Sequence, residues 1–339
     1  MKKYSALGAS IFLLFTSCKG SSMEPVSSSE IFLGTSCFIT IHAMDNPSLV
    51  DMAMEKSFAR IEDMEQRLSV NIPESEISKI NREGEGQLSS DSLSVLEKAL
   101  EIADESDGRF DPSIGSLVAL WDIGGVHQRV PPGSEIEKTI ETVDYSAIQI
   151  DGRNITLGQD GMRLDLGGIA KGHAADLVKR ELEAAGVTSA IINLGGNVQL
   201  IGSKPDGSQW RIGIQNPRDS RGQYIGILST ADTAVVTSGI YERFFEENGI
   251  HYHHILDTVT GYPVDNGIES LTVIAHESMT ADGFSTALFS MGRIAALEYA
   301  AAHDNIDIII VDDKDHVYLS EGIKDKFKMT STEFKLISE

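Results

Sequence analysis

Apolar and polar positions alternate over residues 31–42 (IFLGTSCFITIH), the pattern of a half-buried strand. The period then changes. Over 47–68, Met54, Phe58, Ile61 and Leu68 recur at helical spacing and predict one face of a helix. Residues 69–81 (SVNIPESEISKIN) are polar, punctuated by Pro73, and carry no period. A second helix is predicted over 90–104, with Leu93, Leu96, Leu100 and Ala103 inward and Ser106-Asp107-Gly108 as its stop. Residues 110–125 (FDPSIGSLVALWDIGG) read as a structured loop with a short helix. Residues 147–157 alternate around Asp151-Gly152, a hairpin signature.

The central stretch, 163–186, combines an alternating strand end, Arg163-Leu164-Asp165-Leu166, with a Gly167-Gly168 pair. An amphipathic run follows, with Ala170, Ala174, Leu177, Val178 and Leu182 on one face and Gly186 as its stop. Beyond it, strand-like segments at 190–202, 210–215, 226–230, 233–237, 251–257 and 271–276 precede helices at 280–290 and 294–302. A closing hairpin pairs 306–311 with 316–319. The irregular mixture of helices and hairpins predicts an α+β fold rather than a doubly wound parallel sheet. No fixed-period repeat is present.

Composition narrows the partners. The 339 residues, 41% of them hydrophobic, can bury a substantial core. A formal charge of −23 argues against nucleic acid and against a basic membrane-surface patch, but not against a local phosphate site. At the N-terminus, Lys2-Lys3 precede an apolar run from Ala6 to Phe15 and then Thr16-Ser17-Cys18. This resembles a bacterial lipoprotein signal with a relaxed cleavage box. It implies a signal peptide over 1–17, an acylated Cys18, a Ser-rich tether over 18–29 and a single domain over 30–339. The place implied is the inner membrane, facing the periplasm. An ordinary cleaved signal is the alternative; the run is too short for a membrane span. Cys37 is the other cysteine of the two, so no cysteine-based metal site is available.

Several patterns could carry chemistry. A Gly-rich turn opening a helix at 167 leaves backbone N–H groups free for an anion. Lys171 in its first turn opposes the helix dipole unless an anionic ligand shares the place. A plain packing turn with Lys in solvent fits the same residues. Asp282, Ser285 and Thr286 fall on one helical face, a carboxylate and two hydroxyls that suit Mg²⁺. A helix N-terminus that uses Asp282 only for its dipole is the simpler reading. His251, His253 and His254 suggest zinc, with His173 or His276 as further ligands, but nothing fixes that geometry. One histidine acting as general acid or base beside a phosphate site is more economical. The turns at 193–197 and 237–239 can also bring amides to a ligand.

Taken together, the segments resemble the ApbE family of flavin transferases over roughly 31–320. The motifs are LGT at 33–35, LSVN…SEISKIN at 68–81, SDGRFDPSIGSLVALW at 106–121 and LDLGGIAKGHAAD at 164–176. They continue with INLGGN at 192–197, TSGIYERFF at 237–245, HHILDTVTGYP at 253–263 and TADGFSTALFSMG at 280–292. The resemblance implies an α+β, Mg²⁺-dependent enzyme, with one or two ions. Such an enzyme cleaves FAD, attaches FMN by a phosphoester to Thr or Ser of a recipient flavoprotein, and releases AMP. It implies metal ligands at Asp282, Ser285, Thr286 and the Gly168 carbonyl. It implies flavin-nucleotide contacts at Leu33, Asn71, Arg109, Phe110, Asp111, Asp165, Lys171 and Leu256, with His254 as the catalytic acid/base. Recipients implied are subunits of Rnf-type and sodium-pumping NADH:quinone reductase complexes. Asn71 departs from the family, where an aromatic residue commonly covers the flavin ring, and this implies weaker FAD retention and a hydrolytic side activity. Leu33 replaces a common Met, a modest apolar swap, and Thr258 a common Pro, with no expected effect on chemistry. The competing classes are an FAD pyrophosphatase and a non-enzymatic flavin-binding lipoprotein.

Overall fold

The computed structural model describes residues 23–220 and 222–337. Cys18 and the signal segment lie outside the described residues. The helices are α1 (Val50–Leu68), α2 (Glu76–Glu83), α3 (Ser90–Glu105), α4 (Gly115–Trp121), α5 (Gly133–Ile140), α6 (Gly167–Ala184), α7 (Ser278–Met291) and α8 (Arg293–Ala302). The strands before α7 are β1 (Val26–Phe32), β2 (Thr35–Met44), β3 (Glu85–Gln87), β4 (Ile148–Asp151), β5 (Asn154–Leu157), β6 (Val187–Leu194), β7 (Asn197–Ile201), β8 (Trp210–Gln215), β9 (Tyr224–Thr230), β10 (Ala234–Gly239), β11 (Phe244–Glu247), β12 (Ile250–His253) and β13 (Ile268–Ala275). After α8 come β14 (Ile306–Asp312), β15 (His316–Leu319), β16 (Phe327–Met329) and β17 (Lys335–Leu336).

A nine-stranded sheet in the order β1-β2-β6-β7-β10-β13-β14-β15-β17 forms the middle layer. Its central strands read as nearly unbroken apolar runs because both faces are covered. Along β14, Ile306, Ile308 and Ile310 face the helical layer, while Ile309 and Val311 face the small β16-β9-β8 sheet. Leu271 and Val273 against Ile274 repeat that division on β13. On the helical side, α1 and α6 bury Phe58, Ile61, Ala174, Val178 and Leu182 over β2 and β6. Phe284, Leu288 and Phe289 of α7 join the largest cluster with Leu96 and Ile102 of α3. The predicted α+β class holds.

Three readings change. Residues 31–42 are not one strand. Leu33 (φ 53°) and Gly34 (φ 67°) make a tight turn, and β1 folds back on β2, pairing Val26 with Ile41 and Ser29 with Phe38. The end of the segment read as a tether, from Val26 on, is therefore an edge strand held by backbone hydrogen bonds, which its Ser-rich pattern does not advertise. Second, 163–166 belongs to no sheet; a single bridge joins Arg163 to Ile114, and Leu166 (φ −105°, ψ 13°) already turns into α6. Third, Thr237-Ser238-Gly239 is no turn but the end of β10, paired with Leu271 and its neighbours.

Candidate active site

The site forms where the N-terminal half of α6 meets α7. The helices touch closely because Gly172 has no side chain: a Cβ there would lie 2.3 Å from the Ser278 carbonyl oxygen. Its N–H instead donates to Asp282 Oδ2 at 2.8 Å. Two residues of α6 thus fix α7, since Asp176 accepts the amides of Ser278 and Met279, both at 2.8 Å, and caps the helix from outside. On the approach to α6, Asn81 of α2 clamps Leu164, accepting its N–H at 2.6 Å and donating to its carbonyl at 2.8 Å. Asp165 Oδ1 then takes the Gly167 N–H at 2.7 Å. The bonds that 163–166 lacks in a sheet are supplied in this way.

Asp282 is buried, and loss of water raises its pKa, an effect opposed first by Lys171 and then by the Gly172 amide. Lys171 Nζ lies 3.4 Å from Asp282 Oδ1 and 3.4 Å from the Gly167 carbonyl. The lysine therefore compensates the buried carboxylate, a role that the local sequence left open. Ser285 Oγ donates to the Asp282 carbonyl at 2.8 Å and shares a hydrogen bond with Ser238 Oγ at 2.7 Å. Thr286 Oγ1 is 3.4 Å from the same Ser238 hydroxyl, and a Cβ on Gly168 would be 3.7 Å from Thr286 Oγ1. Asp282, Ser285, Thr286 and Gly168 are thus brought together, with Ser238 as an unpredicted fifth member. Carboxylate, hydroxyl and carbonyl oxygens are a donor set that fits Mg²⁺ and does not suit a soft metal. Among the described residues, no cluster of three His, Cys, Asp or Glu could hold a metal by itself.

His254 enters from the β11–β12 hairpin. Its Nδ1 lies 3.2 Å from the Arg243 carbonyl, which can only accept, so Nδ1 carries the proton and Nε2 keeps its lone pair. Desolvation, then the charges of Arg243, His253 and Lys171, push its pKa down to about 3. At neutral pH it is an unprotonated base. His251 and His253 are spent otherwise: their Nε2 atoms bond the carbonyls of Ile240 at 3.0 Å and Val264 at 2.9 Å. Zinc ligation by the trio finds no support in that arrangement.

The loops around His254 are tied together. Arg109 pairs with Asp257 at 3.4 Å, and Thr258 Oγ1 donates to the Gly108 carbonyl at 2.7 Å. Thr258 thus ties the loop after His254 to the turn at Gly108. Leu256 is buried with Leu117, Trp121 and Ile136, so its side chain packs inward. Asp111 is also turned inward, accepting from Ser113 N and Oγ at 2.7 and 2.6 Å and from Tyr145 N at 3.1 Å. Its carboxylate organises the loop; what the turn presents toward Gly168 is the Phe110 ring, 3.1 Å from where a Cβ would stand. Leu33 sits in the β1–β2 turn, its N–H held by Glu65 at 2.8 Å. Asp165 is half-buried; desolvation raises its pKa against the Gly167 amide, Arg243, Arg163 and Lys171. Asn71 is exposed, and with Asn81, Arg163 and Asp165 it lines an open groove of about 1010 Å³ that runs on between α4 and α5. Gly172, Asp176, Ser238 and Arg243 escaped the sequence reading. Gly172 and Asp176 sit inside quoted motifs, but only the fold gives them partners.

This is an α+β protein whose candidate site combines a set of hard oxygen donors, a helix N-terminus and a neutral histidine, groups suited to phosphate-ester chemistry. The chain belongs to the ApbE family, whose model matches residues 33–310. It is 31% identical over 339 residues to the FAD:protein FMN transferase of Treponema pallidum, covering 94% of each chain. The Klebsiella pneumoniae FAD:protein FMN transferase is 32% identical, with 92% of this chain and 96% of that one covered. Among solved structures, the ApbE protein of Thermotoga maritima superposes with a TM-score of 0.81 at 30% identity, over 89% of this chain and 99% of that one. The flavin transferase ApbE of Vibrio cholerae gives 0.79 at 27% identity, with 89% and 99% covered.

Proposed function

We propose that this protein is an FAD:protein FMN transferase. The observation that carries the reading is the Asp282–Ser285–Thr286–Gly168 oxygen set at the α6 N-terminus, whose Lys171 acts electrostatically on His254, neutral and with a free Nε2. The names of its relatives support it. In this reading the acceptor hydroxyl of a recipient Thr or Ser gives its proton to His254 Nε2. Its oxygen bonds the FMN phosphorus, the pyrophosphate P–O bond breaks, and AMP leaves. Asp282, Ser285, Thr286 and the Gly168 carbonyl would hold Mg²⁺, one ion or two, which would supply neutralisation of phosphate charge there. Phe110, Asp165 and the groove beside Asn71 position the flavin nucleotide. Replacing His254 by Ala should abolish FMN transfer, read as a mass shift of the recipient, while FAD still binds. Transfer at the native rate in that variant would remove the base assignment.

Asn71 favours a second activity, hydrolysis of FAD to FMN and AMP, because an exposed amide offers no face to stack on the flavin ring. The recipients in this reading are flavoprotein subunits of the Rnf or sodium-pumping NADH:quinone reductase type. A lipid on Cys18 would hold the enzyme at the periplasmic face of the inner membrane, beside them and at high effective concentration.

A further inference from the structure

Arg243 stands at the root of the β11–β12 hairpin, and the mechanism above uses only its backbone. Its carbonyl accepts from His254 twice, from the N–H at 3.1 Å and from Nδ1 at 3.2 Å. Its side chain runs into the same space. A Cβ placed on Gly124 would lie 3.8 Å from Arg243 Cδ, and one placed on Gly34 would lie 3.5 Å from Nη2. The stem therefore crosses the loop after α4, and the tip reaches the turn that carries Leu33. Its charge is felt at both Asp165 and His254. Yet no carboxylate among the described residues lies within 4.0 Å of its guanidinium, in a chain with 51 acidic side chains against 28 basic ones. Lys171, the lysine whose charge also reaches Asp165 and His254, is already engaged with Asp282.

We propose that the Arg243 guanidinium binds the phosphate that stays with the flavin, contacting its non-bridging oxygens through transfer. This rests on the flavin-transferase reading and adds a catalytic residue to it. A guanidinium presents a planar fork of donors that matches phosphate oxygens, and at a phosphoryl-transfer centre such a group stabilises the charge of the transition state. The unpaired guanidinium and the committed lysine divide the work: Lys171 balances the metal carboxylate, and Arg243 meets the substrate anion. Because the carbonyl that sets the His254 tautomer is backbone, a side-chain substitution leaves that function in place.

The test compares FMN with riboflavin, which differ by the phosphate alone, as ligands of the native protein, Arg243→Gln and Arg243→Lys, measured by calorimetry. In Arg243→Gln, FMN affinity should fall roughly tenfold or more while riboflavin affinity stays within about twofold. Arg243→Lys should restore part of the loss, as a charge without the fork. With FAD and a recipient, kcat of Arg243→Gln should drop by about a hundredfold or more, with the recipient KM little changed. Equal weakening of both flavins would make Arg243 a structural residue, and unchanged binding of both would remove it from the site; either overturns the proposal. A native protein that prefers FMN through Arg243 but never modifies a recipient would instead sink the transferase reading and leave this assignment standing.

Discussion

At His254 a single backbone carbonyl decides the chemistry, since it fixes the proton on Nδ1 and leaves Nε2 to act. With a pKa pushed down to about 3, the ring stays in its base form as the pH falls through 6.5, where a free histidine would be protonated. The free enzyme should therefore show no acid limb with an apparent pKa near 6.5, and a kcat/KM profile between pH 5 and 8 checks this. A limb at 6.5 would place a solvated histidine in the role. Asp282 is the buried carboxylate of the oxygen set, so Asp282→Ala should lower Mg²⁺-dependent AMP release by about a hundredfold or more. Near-native release would remove the metal site from α7. Asn71→Tyr should raise FAD affinity by roughly three- to tenfold through ring stacking and let the protein purify yellow. An unchanged FAD dissociation constant would end the stacking argument. The chemical residues were legible because they sit inside dense motifs. Ser238 and Arg243 lie inside the motif at 237–245 but were not singled out, because what they approach, Ser285 47 residues away and the turns at Gly34 and Gly124, comes only with the fold.

Among the elements, the α6–α7 contact sets the geometry of the oxygen donors. Gly172→Ala would push a methyl to within 2.3 Å of the Ser278 carbonyl oxygen and part the helices. Overpacking of this kind costs about 1–3 kcal/mol, so thermal denaturation should show a lowered midpoint, and Mg²⁺ affinity should fall with it. A variant with native stability and native metal binding would show that the close approach is dispensable. The long amphipathic helices were readable from their period. Their faces were less so: in α3 the buried apolar positions are Val95, Leu96, Ala99, Ile102 and Ala103, while the expected Leu93 and Leu100 are only partly covered. Two short helices were missed. α2 and α5 have eight residues each, about two turns, too few for a helical period to stand out. α2 does carry a readable start, Ser75, which accepts the Ser78 N–H at 2.9 Å. Alternation also failed at β1, whose serines lie on a sheet edge and pair through their backbone.

For the whole molecule, buried histidines shape stability against pH. Burial pushes His173 and His253 down to about 4, against 6.5 when unfolded. Below pH 6.5 the unfolded chain takes up protons that the folded one refuses, so stability is full above 6.5 and falls as the pH drops toward 4. Each ring contributes a loss on the order of 2 kcal/mol by pH 5. Asp111, Asp176 and Asp282, whose pKa values burial raises, act in the opposite sense lower in the range. His173→Gln should flatten the melting midpoint between pH 7 and 5; an unchanged slope would exclude that ring as a source. If Cys18 is lipidated as proposed, Cys18→Ser should release the protein from the membrane fraction, and a membrane-bound variant would contradict lipidation there. The most direct measurement of all is AMP release from FAD and Mg²⁺, with and without a recipient flavoprotein carrying the acceptor Thr, read beside the recipient's mass. The account predicts fast AMP release matched by FMN on the recipient, with a slower release when it is absent. AMP formed at the same rate without a recipient, and no mass change with one, would contradict it.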